Sequence, residues 1–263
     1  MSDPMDMNDR VAVITGGSGG IGKAMAKAFL DEGARAVVLA DLDPAAVEAA
    51  AAELGCEGRV CDVTDEAQVV SLVESVLDAH GPIDLFASNA GAGAQGVLTD
   101  AANDQWQFQW DLHVMAHLYA ARAVLPSMIA RGEGYLVNTA SAAGLLAAMG
   151  SGPYTVTKAA AVKLAEFLSI THGDDGIKVS VLCPQGVNTA MAPRSLGDGQ
   201  TDGIIEADEL AAVVVEAIRD ERFHILPHPE VAEYVKRKAD DPDRWLKGMR
   251  RLRARTLELM GGE

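Results

Sequence analysis

The sequence predicts a doubly wound α/β fold, in which one parallel, Rossmann-like sheet carries helices on both faces. Short apolar runs alternate with longer helical stretches from one end of the chain to the other, and the first run is followed by a glycine-rich turn. Parallel strands need crossover connections of a dozen or more residues, usually helices, so this alternation favours a parallel sheet. No linker or repeat interrupts the pattern. We therefore expect a single domain, with a core at about 9–227 and a C-terminal helical tail at 228–263.

The elements follow in chain order. Pro44 stands where a first-turn proline is tolerated, and Asp65 is a helix cap with Gln68 three residues later. The loop at 190–203 is rich in Gly, Pro, Asp and Ser and follows the sixth strand, so it is either a lid over a ligand or a solvated loop. The predicted strands are 11–15, 36–40, 59–61, 83–88, 135–139, 177–182 and 223–226. The predicted helices are 21–30, 44–54, 65–80, 103–130, 154–172 and 207–219.

Composition excludes several classes of partner. The 263 residues carry a formal net charge of −16, which repels phosphate backbones and anionic bilayers, so neither nucleic acid nor membrane is expected. Nine of the 22 Lys and Arg residues fall in 236–255, which leaves the rest of the chain more acidic still. The three cysteines form no CxxC pair, and the start is polar and acidic, so we expect a cytoplasmic protein.

A glycine-rich run follows the first strand, namely Thr15-Gly16-Gly17-Ser18-Gly19-Gly20-Ile21-Gly22. Glycines at 16, 20 and 22 permit a tight turn and close packing, and the free N–H groups of the next helix can hold a pyrophosphate. Such a run is a weak signal alone, but its place between a strand and a helix favours cofactor binding over a simple turn.

Asp41 ends the second strand, 19 residues beyond Gly22. A carboxylate there accepts hydrogen bonds from the adenine-ribose hydroxyls and repels a 2′-phosphate. The glycine loop has no Lys or Arg, and Leu42 rather than Arg follows Asp41, so the usual charge partner of NADP is missing. The expected cofactor is NAD.

Tyr154 and Lys158 are four residues apart and share one face at the start of a helix. An unperturbed tyrosine has a pKa of about 10, too high for a base at neutral pH, and a neighbouring ammonium lowers it. Oxidising an alcohol requires removal of its hydroxyl proton as hydride leaves the carbon. Ser141, 13 residues before Tyr154, is placed to hydrogen-bond the substrate oxygen.

Taken together, these motifs resemble the short-chain dehydrogenase/reductase family over nearly the whole chain. They are the TGxxxGxG loop, Asp62-Val63, Asn89-Ala90-Gly91, Pro184-Gln185-Gly186-Val187 with Thr189, and Ser141 with Tyr154-x-x-x-Lys158. The resemblance implies that Tyr154 is the general acid/base and that Lys158 also binds the nicotinamide ribose. It implies cofactor contacts at Gly16, Ser18, Gly20, Ile21, Gly22, Asp41, Leu42, Asp62, Val63, Asn89, Ala90, Gly91, Val187 and Thr189.

Two positions depart from the family pattern. His113 stands where the family usually has an asparagine whose carbonyl holds a relay water. Either its imidazole titrates near neutrality and joins the proton path, as a further catalytic residue, or it is a packed histidine without a chemical role. His117, one turn on, is expected to be structural. Gln185 replaces a glycine of the family's segment beside the nicotinamide. No metal site is expected, because His224 and His228 flank Pro227 outside any helix.

The tail has three interpretations. Trp245, Met249 and Leu252 recur at helical spacing with Lys and Arg on the remaining face. The tail helix either packs across a subunit interface, or closes the substrate pocket and contacts an acidic substrate group, or anchors at a membrane surface. The family resemblance implies a homo-oligomer, a dimer or tetramer.

The expected function is NAD-dependent hydride transfer between nicotinamide and a small-molecule secondary alcohol or ketone, lipophilic or cyclic. Met149, Met191 and Leu196 are candidates to line its pocket. One alternative keeps the fold but catalyses epimerisation or dehydration, although this chain is short for such relatives. Another is a catalytically silent NAD-binding scaffold, against which the intact Ser141, Tyr154 and Lys158 argue.

Overall fold

A computed structural model describes residues 5–93, 96, 100–190 and 202–259, and it confirms the doubly wound α/β fold. One sheet has the strand order β3-β2-β1-β4-β5-β6-β9, and every neighbouring pair is parallel. Its strands are β1 (Val11–Thr15), β2 (Ala36–Asp41), β3 (Glu57–Val60), β4 (Leu85–Ser88), β5 (Gly134–Thr139), β6 (Ile177–Leu182) and β9 (His224–Ile225).

β1 is an interior strand of this sheet, with buried side chains on both faces. All five of its residues are buried, and it pairs with β2 on one side and β4 on the other. The chain order reverses between these two neighbours. In open α/β sheets, ligands bind outside the carboxyl ends of the strands at such a switch point.

The helices cover both faces of the sheet. Apolar residues of α1, α2 and α8 pack against the strand side chains on one face of the sheet. Apolar residues of α3, α5 and α7 pack against those on the other face. The helices are α1 (Gly20–Asp31), α2 (Pro44–Leu54), α3 (Glu66–His80), α4 (Asn103–Trp110), α5 (Ala116–Arg131), α6 (Ala142–Leu145), α7 (Gly152–His172), α8 (Ala207–Arg219), α9 (Glu230–Asp240) and α10 (Pro242–Leu259). Among the described residues, no helix is both long and apolar enough to cross a membrane.

The structure differs from the sequence-based expectation in a few short elements. The helix predicted over 103–130 is interrupted by a π-helical turn at Asp111–Met115, which contains His113. Two three-residue strands, β7 (Gly186–Asn188) and β8 (Ile204–Glu206), form a separate parallel pair. They were not predicted, because three residues are too few to show a hydrophobic period. The tail forms two helices, α9 and α10, rather than one.

Candidate active site

A cavity of about 1510 Å³ opens at the carboxyl edge of the sheet. Its volume exceeds the roughly 300–1,000 Å³ of an ordinary small-molecule pocket, as a site for a cofactor together with a substrate would require. Residues from both halves of the predicted site line it, from the glycine loop after β1 to Tyr154 and Lys158 of α7. Of the predicted site and pocket residues that the structure describes, His113 and Met149 do not line the cavity. Most of the 190–203 loop, including Met191 and Leu196, lies outside the described residues.

The glycine loop is packed too closely for a side chain at several positions, among them Gly16 and Gly22. Gly16 has a φ of +63°, and a Cβ there would lie 2.8 Å from the Ala90 Cα. A Cβ on Gly22 would overlap the Gly16 carbonyl oxygen, so the start of α1 packs directly on the turn. Among the described residues, no side chain caps the α1 N-terminus, and the first residues of α1 line the cavity. This arrangement fits the pyrophosphate of a dinucleotide.

Asp41 is fixed against the glycine loop. Its Oδ2 accepts hydrogen bonds from Ser18 N (3.0 Å) and Ser18 Oγ (2.6 Å), and its Oδ1 accepts one from Leu42 N (2.8 Å). Leu42 remains 65 % exposed at the rim. The carboxylate is therefore oriented in advance, with remaining lone pairs for the hydroxyls of a ligand.

Further hydrogen bonds fix the part of the cavity next to the glycine loop. Asn89 joins β1 to β4, because its Nδ2 donates to Thr15 O (3.1 Å), and its Oδ1 accepts from Thr139 Oγ1 (3.0 Å) at the end of β5. Asp62 Oδ1 accepts from Thr64 N (2.9 Å) and Thr64 Oγ1 (2.7 Å), which orients its carboxylate at the rim. Val63, Ala90, Gly91, Val187 and Thr189 also line the cavity.

Lys158 is deeply buried, with 3 % of its surface exposed. Its Nζ donates to Thr139 O at 2.8 Å and lies 5.7 Å from the centroid of the Tyr154 ring. Burial lowers the pKa of Lys158 to about 8. The sequence does not indicate Thr139 as the hydrogen-bond partner of Lys158, because every residue type has a backbone carbonyl.

The pKa of Tyr154 moves in the opposite direction to the expected one. Burial raises this pKa above its usual value, and a hydrogen bond from Ser141 partly offsets the increase. The expectation that the neighbouring ammonium lowers this pKa was wrong, because desolvation of the phenolate is the largest effect on it. Ser141 caps α6, and its Oγ accepts from Ala143 N at 3.1 Å.

His113 is completely buried and neutral. Its Nε2 accepts from Ala92 N (3.3 Å), so the proton is on Nδ1, which donates to Thr157 Oγ1 (3.0 Å). Burial, and next the charge of Lys158, lower the pKa of His113 to about 2. The hypothesis that this imidazole titrates near neutrality was wrong. Its ring packs nearly perpendicular to the Tyr154 ring, with centroids 5.5 Å apart, so the geometry assigns His113 a packing role.

His117 is also buried, and burial lowers its pKa to about 3. Neither of its ring nitrogens has a hydrogen-bond partner within the described part of the chain. His228 accepts a hydrogen bond at Nδ1 from Gln185 N (3.2 Å). The sequence analysis named this histidine only when it rejected a metal site.

The tail supplies cavity residues that the sequence only partly indicated. Tyr234 OH donates to Asp202 Oδ1 (2.8 Å), and Asp202 Oδ2 accepts from Gln185 Nε2 (2.7 Å). Gln185, the departure from the family pattern, thus connects the segment after β6 to α9. The helical spacing of Trp245, Met249 and Leu252 was a usable signal, and all three line the cavity.

Comparisons with known proteins agree with this geometry. The family described as short chain dehydrogenase matches residues 10–198. The chain is 33 % identical over 250 residues to a 1-deoxy-11-beta-hydroxypentalenate dehydrogenase of Streptomyces exfoliatus, covering 90 % of each chain. It is 32 % identical to a meso-2,3-butanediol dehydrogenase of Serratia marcescens, covering 84 % of this chain and 92 % of that one. A solved short chain dehydrogenase/reductase from Burkholderia phymatum, in complex with NAD, is 31 % identical with a TM-score of 0.82, covering 91 % of this chain and 96 % of the other. The chain therefore belongs to the short-chain dehydrogenase family of oxidoreductases.

Proposed function

We propose that this chain is an NAD-dependent dehydrogenase that interconverts a secondary alcohol and its ketone, with Tyr154 as the acid/base. The observation that carries the proposal is the position of Ser141, Tyr154 and Lys158 in the same cavity as the glycine loop and Asp41. A hydride acceptor and a proton acceptor must lie on either side of one carbinol, and this cavity has room for both.

The residues that would hold the cofactor are divided along the cavity. The N-terminus of α1 would hold the pyrophosphate, and Asp41 the adenine-ribose hydroxyls. Lys158, Asn89–Gly91, Val187 and Thr189 would bind the nicotinamide riboside. When bound, the nicotinamide supplies the hydride acceptor or donor. The carboxylate of Asp41 favours NAD, because a 2′-phosphate would be repelled there.

Side chains of this protein transfer the proton of the substrate hydroxyl. In our proposal, the hydroxyls of Ser141 and Tyr154 bind the substrate oxygen. During oxidation the Tyr154 phenolate takes the proton of the alcohol, and during reduction the phenol returns it. While it is protonated, below its pKa of about 8, Lys158 supports the phenolate electrostatically, and the surrounding apolar residues keep water out.

We propose a lipophilic or cyclic secondary alcohol as the substrate. The cavity walls beyond the catalytic residues are largely apolar, with Phe108, Leu112 and Leu146 among them. Two relatives support an alcohol by their names, one for a hydroxypentalenate and the other for a butanediol.

The assembly and location form part of the same proposal. Val156, Phe167 and Ile170 lie exposed on α7, which supports a homo-oligomer. Cys56, Cys61 and Cys183 are free thiols, which supports a reducing, cytoplasmic compartment.

The experiment is NADH formation, followed by absorbance, over a panel of steroids, terpenols and short diols, with NADP in parallel. Turnover on one chemical class, faster with NAD and abolished by Tyr154→Phe, is expected. NAD binding by calorimetry without turnover on any alcohol would contradict the proposal and favour a silent NAD-binding scaffold.

A further inference from the structure

The last two helices, α9 and α10, form one wall of the cavity. Lys238 Nζ donates to Leu145 O (2.6 Å) and Leu146 O (3.3 Å), which follow Ser141 by only a few residues. Tyr234 is joined through Asp202 to Gln185, just beyond β6. These contacts hold the helix pair over the substrate side of the cavity rather than over the adenine side.

The apolar face of α10 points into this space. Trp245, Met249 and Leu252 recur every three or four residues, are half-buried and line the cavity. Among the described elements, α10 packs mainly against α9, where the Tyr234 and Trp245 rings lie 6.3 Å apart. The apolar face is therefore available to the hydrocarbon part of a ligand.

Three arginines share the cavity side of these helices. Arg237 lies on α9, whereas Arg244 and Arg251 lie seven residues, about two helical turns, apart on α10, and all three line the cavity. Arg237 pairs with Glu233 (3.1 Å) and lies over the Tyr234 ring. Arg244 and Arg251, in contrast, form no side-chain hydrogen bond or ion pair with any residue that the structure describes.

Gly248 lies between these two unpaired arginines. It is in the middle of α10, where glycine costs about 1 kcal/mol relative to alanine. A Cβ at Gly248 would meet nothing among the described residues closer than Arg251 Nη2, at 4.0 Å. Internal packing thus gives no reason for glycine here. The missing side chain leaves a gap on the cavity side, and the Arg251 guanidinium lies beside it.

The acidic residues of the cavity limit where an anion can bind. Asp41 and Asp62 lie in the cofactor half, and Asp240 and Asp241 lie at the turn between α9 and α10. Asp241 is used as a cap, since its Oδ1 accepts from Arg244 N (2.9 Å). Along α10, Gly248 comes four residues after Arg244 and three before Arg251, whereas both tail aspartates precede Arg244, so these two arginines are the charged cavity residues nearest to it on the helix.

We infer that the substrate is an apolar secondary alcohol that also carries a carboxylate. The carboxylate binds between Arg244 and Arg251 over Gly248, the hydrocarbon packs on Trp245, Met249 and Leu252, and the hydroxyl reaches Tyr154. A planar guanidinium suits a carboxylate because it donates two parallel hydrogen bonds. This inference rests on the proposed function for the role of Tyr154, but the acid site itself does not.

The test compares acids with their methyl esters. The NADH-saturated protein is titrated by calorimetry with 4-hydroxycyclohexanecarboxylate, a hydroxydecalin carboxylate and cholate, each beside its methyl ester. We expect at least one acid to bind about tenfold or more tighter than its ester, as charged hydrogen bonds allow. The variant Arg244→Gln/Arg251→Gln should abolish this preference. Arg250→Gln/Arg253→Gln, which removes the same charge from residues of α10 outside the cavity, should retain it.

Several outcomes would overturn the inference. These are equal binding of acids and esters, a preference that survives the double variant, no binding of any acid, or a change in assembly mass on light scattering in the double variant alone. The last outcome would make α10 an interface with a second copy of the chain. Arginine-dependent acid binding without NADH formation would sustain the acid site and reject the dehydrogenase. Turnover of neutral alcohols, together with equal binding of acids and their esters, would do the reverse.

Discussion

The Lys158 ammonium lies 5.7 Å from the centroid of the Tyr154 ring, yet it donates its hydrogen bond to the Thr139 carbonyl. Burial shifts the two pKa values in opposite directions: it raises the pKa of the phenol and lowers that of the ammonium to about 8. Acid/base chemistry in this site therefore depends on how strongly the surrounding protein desolvates both groups.

Removing the phenol should abolish turnover while the cofactor still binds. We expect Tyr154→Phe to lower kcat by about 10²–10⁴-fold, the usual contribution of a general acid/base, with NAD affinity nearly unchanged. Tyr119→Phe, on α5 outside the cavity, is the matched control and should retain full activity. Substantial activity in Tyr154→Phe would remove the tyrosine from its assigned role.

The two directions of the reaction should respond oppositely to pH. Because the pKa of Tyr154 is raised, the phenolate that accepts a proton forms only at alkaline pH. The kcat/KM for alcohol oxidation should rise from neutral into alkaline pH, and that for ketone reduction should fall over the same range. A flat oxidation profile in initial-rate measurements from pH 6 to 10 would contradict this assignment.

Asp41 should set the cofactor preference. Asp41→Ala removes a charged acceptor, so we expect about 10–100-fold weaker NAD binding and a smaller change for NADP. Asp43→Ala is the control, because Asp43 caps α2 and does not line the cavity. The control should lower the free energy of unfolding by about 0.5–2 kcal/mol and leave the NAD/NADP ratio unchanged. An unchanged ratio in Asp41→Ala would show that the preference is set elsewhere.

His113 should not shape the pH profile. Its pKa of about 2 keeps it neutral throughout the working range, so His113→Asn should retain activity with the same apparent pKa values. Some stability should be lost, since the hydrogen bond to Thr157 and the edge contact with Tyr154 are removed. A shifted pH profile in kcat/KM would bring the imidazole back into the proton path.

Gly22 should be intolerant of any side chain. Gly22→Ala places a Cβ on the Gly16 carbonyl, and we expect it to cost about 1–3 kcal/mol of stability and to weaken NAD binding. Gly173→Ala is the control, because its φ is −58° and a Cβ there meets nothing within 4 Å. It should leave stability unchanged or raise it by up to about 1 kcal/mol. Thermal unfolding with and without NAD measures both effects, and a Gly22→Ala protein as stable as the wild type would reject the close packing.

Patterns local in the chain determined most of the fold and the identity of the expected site residues. The alternation of strands and helices, the glycine run, the place of Asp41 and the four-residue spacing of Tyr154 and Lys158 are all readable without a structure. They are readable because each depends on one strand, turn or helix whose period relates neighbours in sequence to neighbours in space.

Only the tertiary structure determined the protonation of His113 and Tyr154 and the shape of the cavity near α9 and α10. His113 is neutral because it packs between Thr157 and Tyr154, which are more than 40 residues away in the chain. The raised pKa of Tyr154 follows from burial, and the arginines of α10 face the cavity because α9 is tethered at Leu145. Desolvation and long-range packing depend on which segments surround a group in three dimensions, and no local period in the sequence records that.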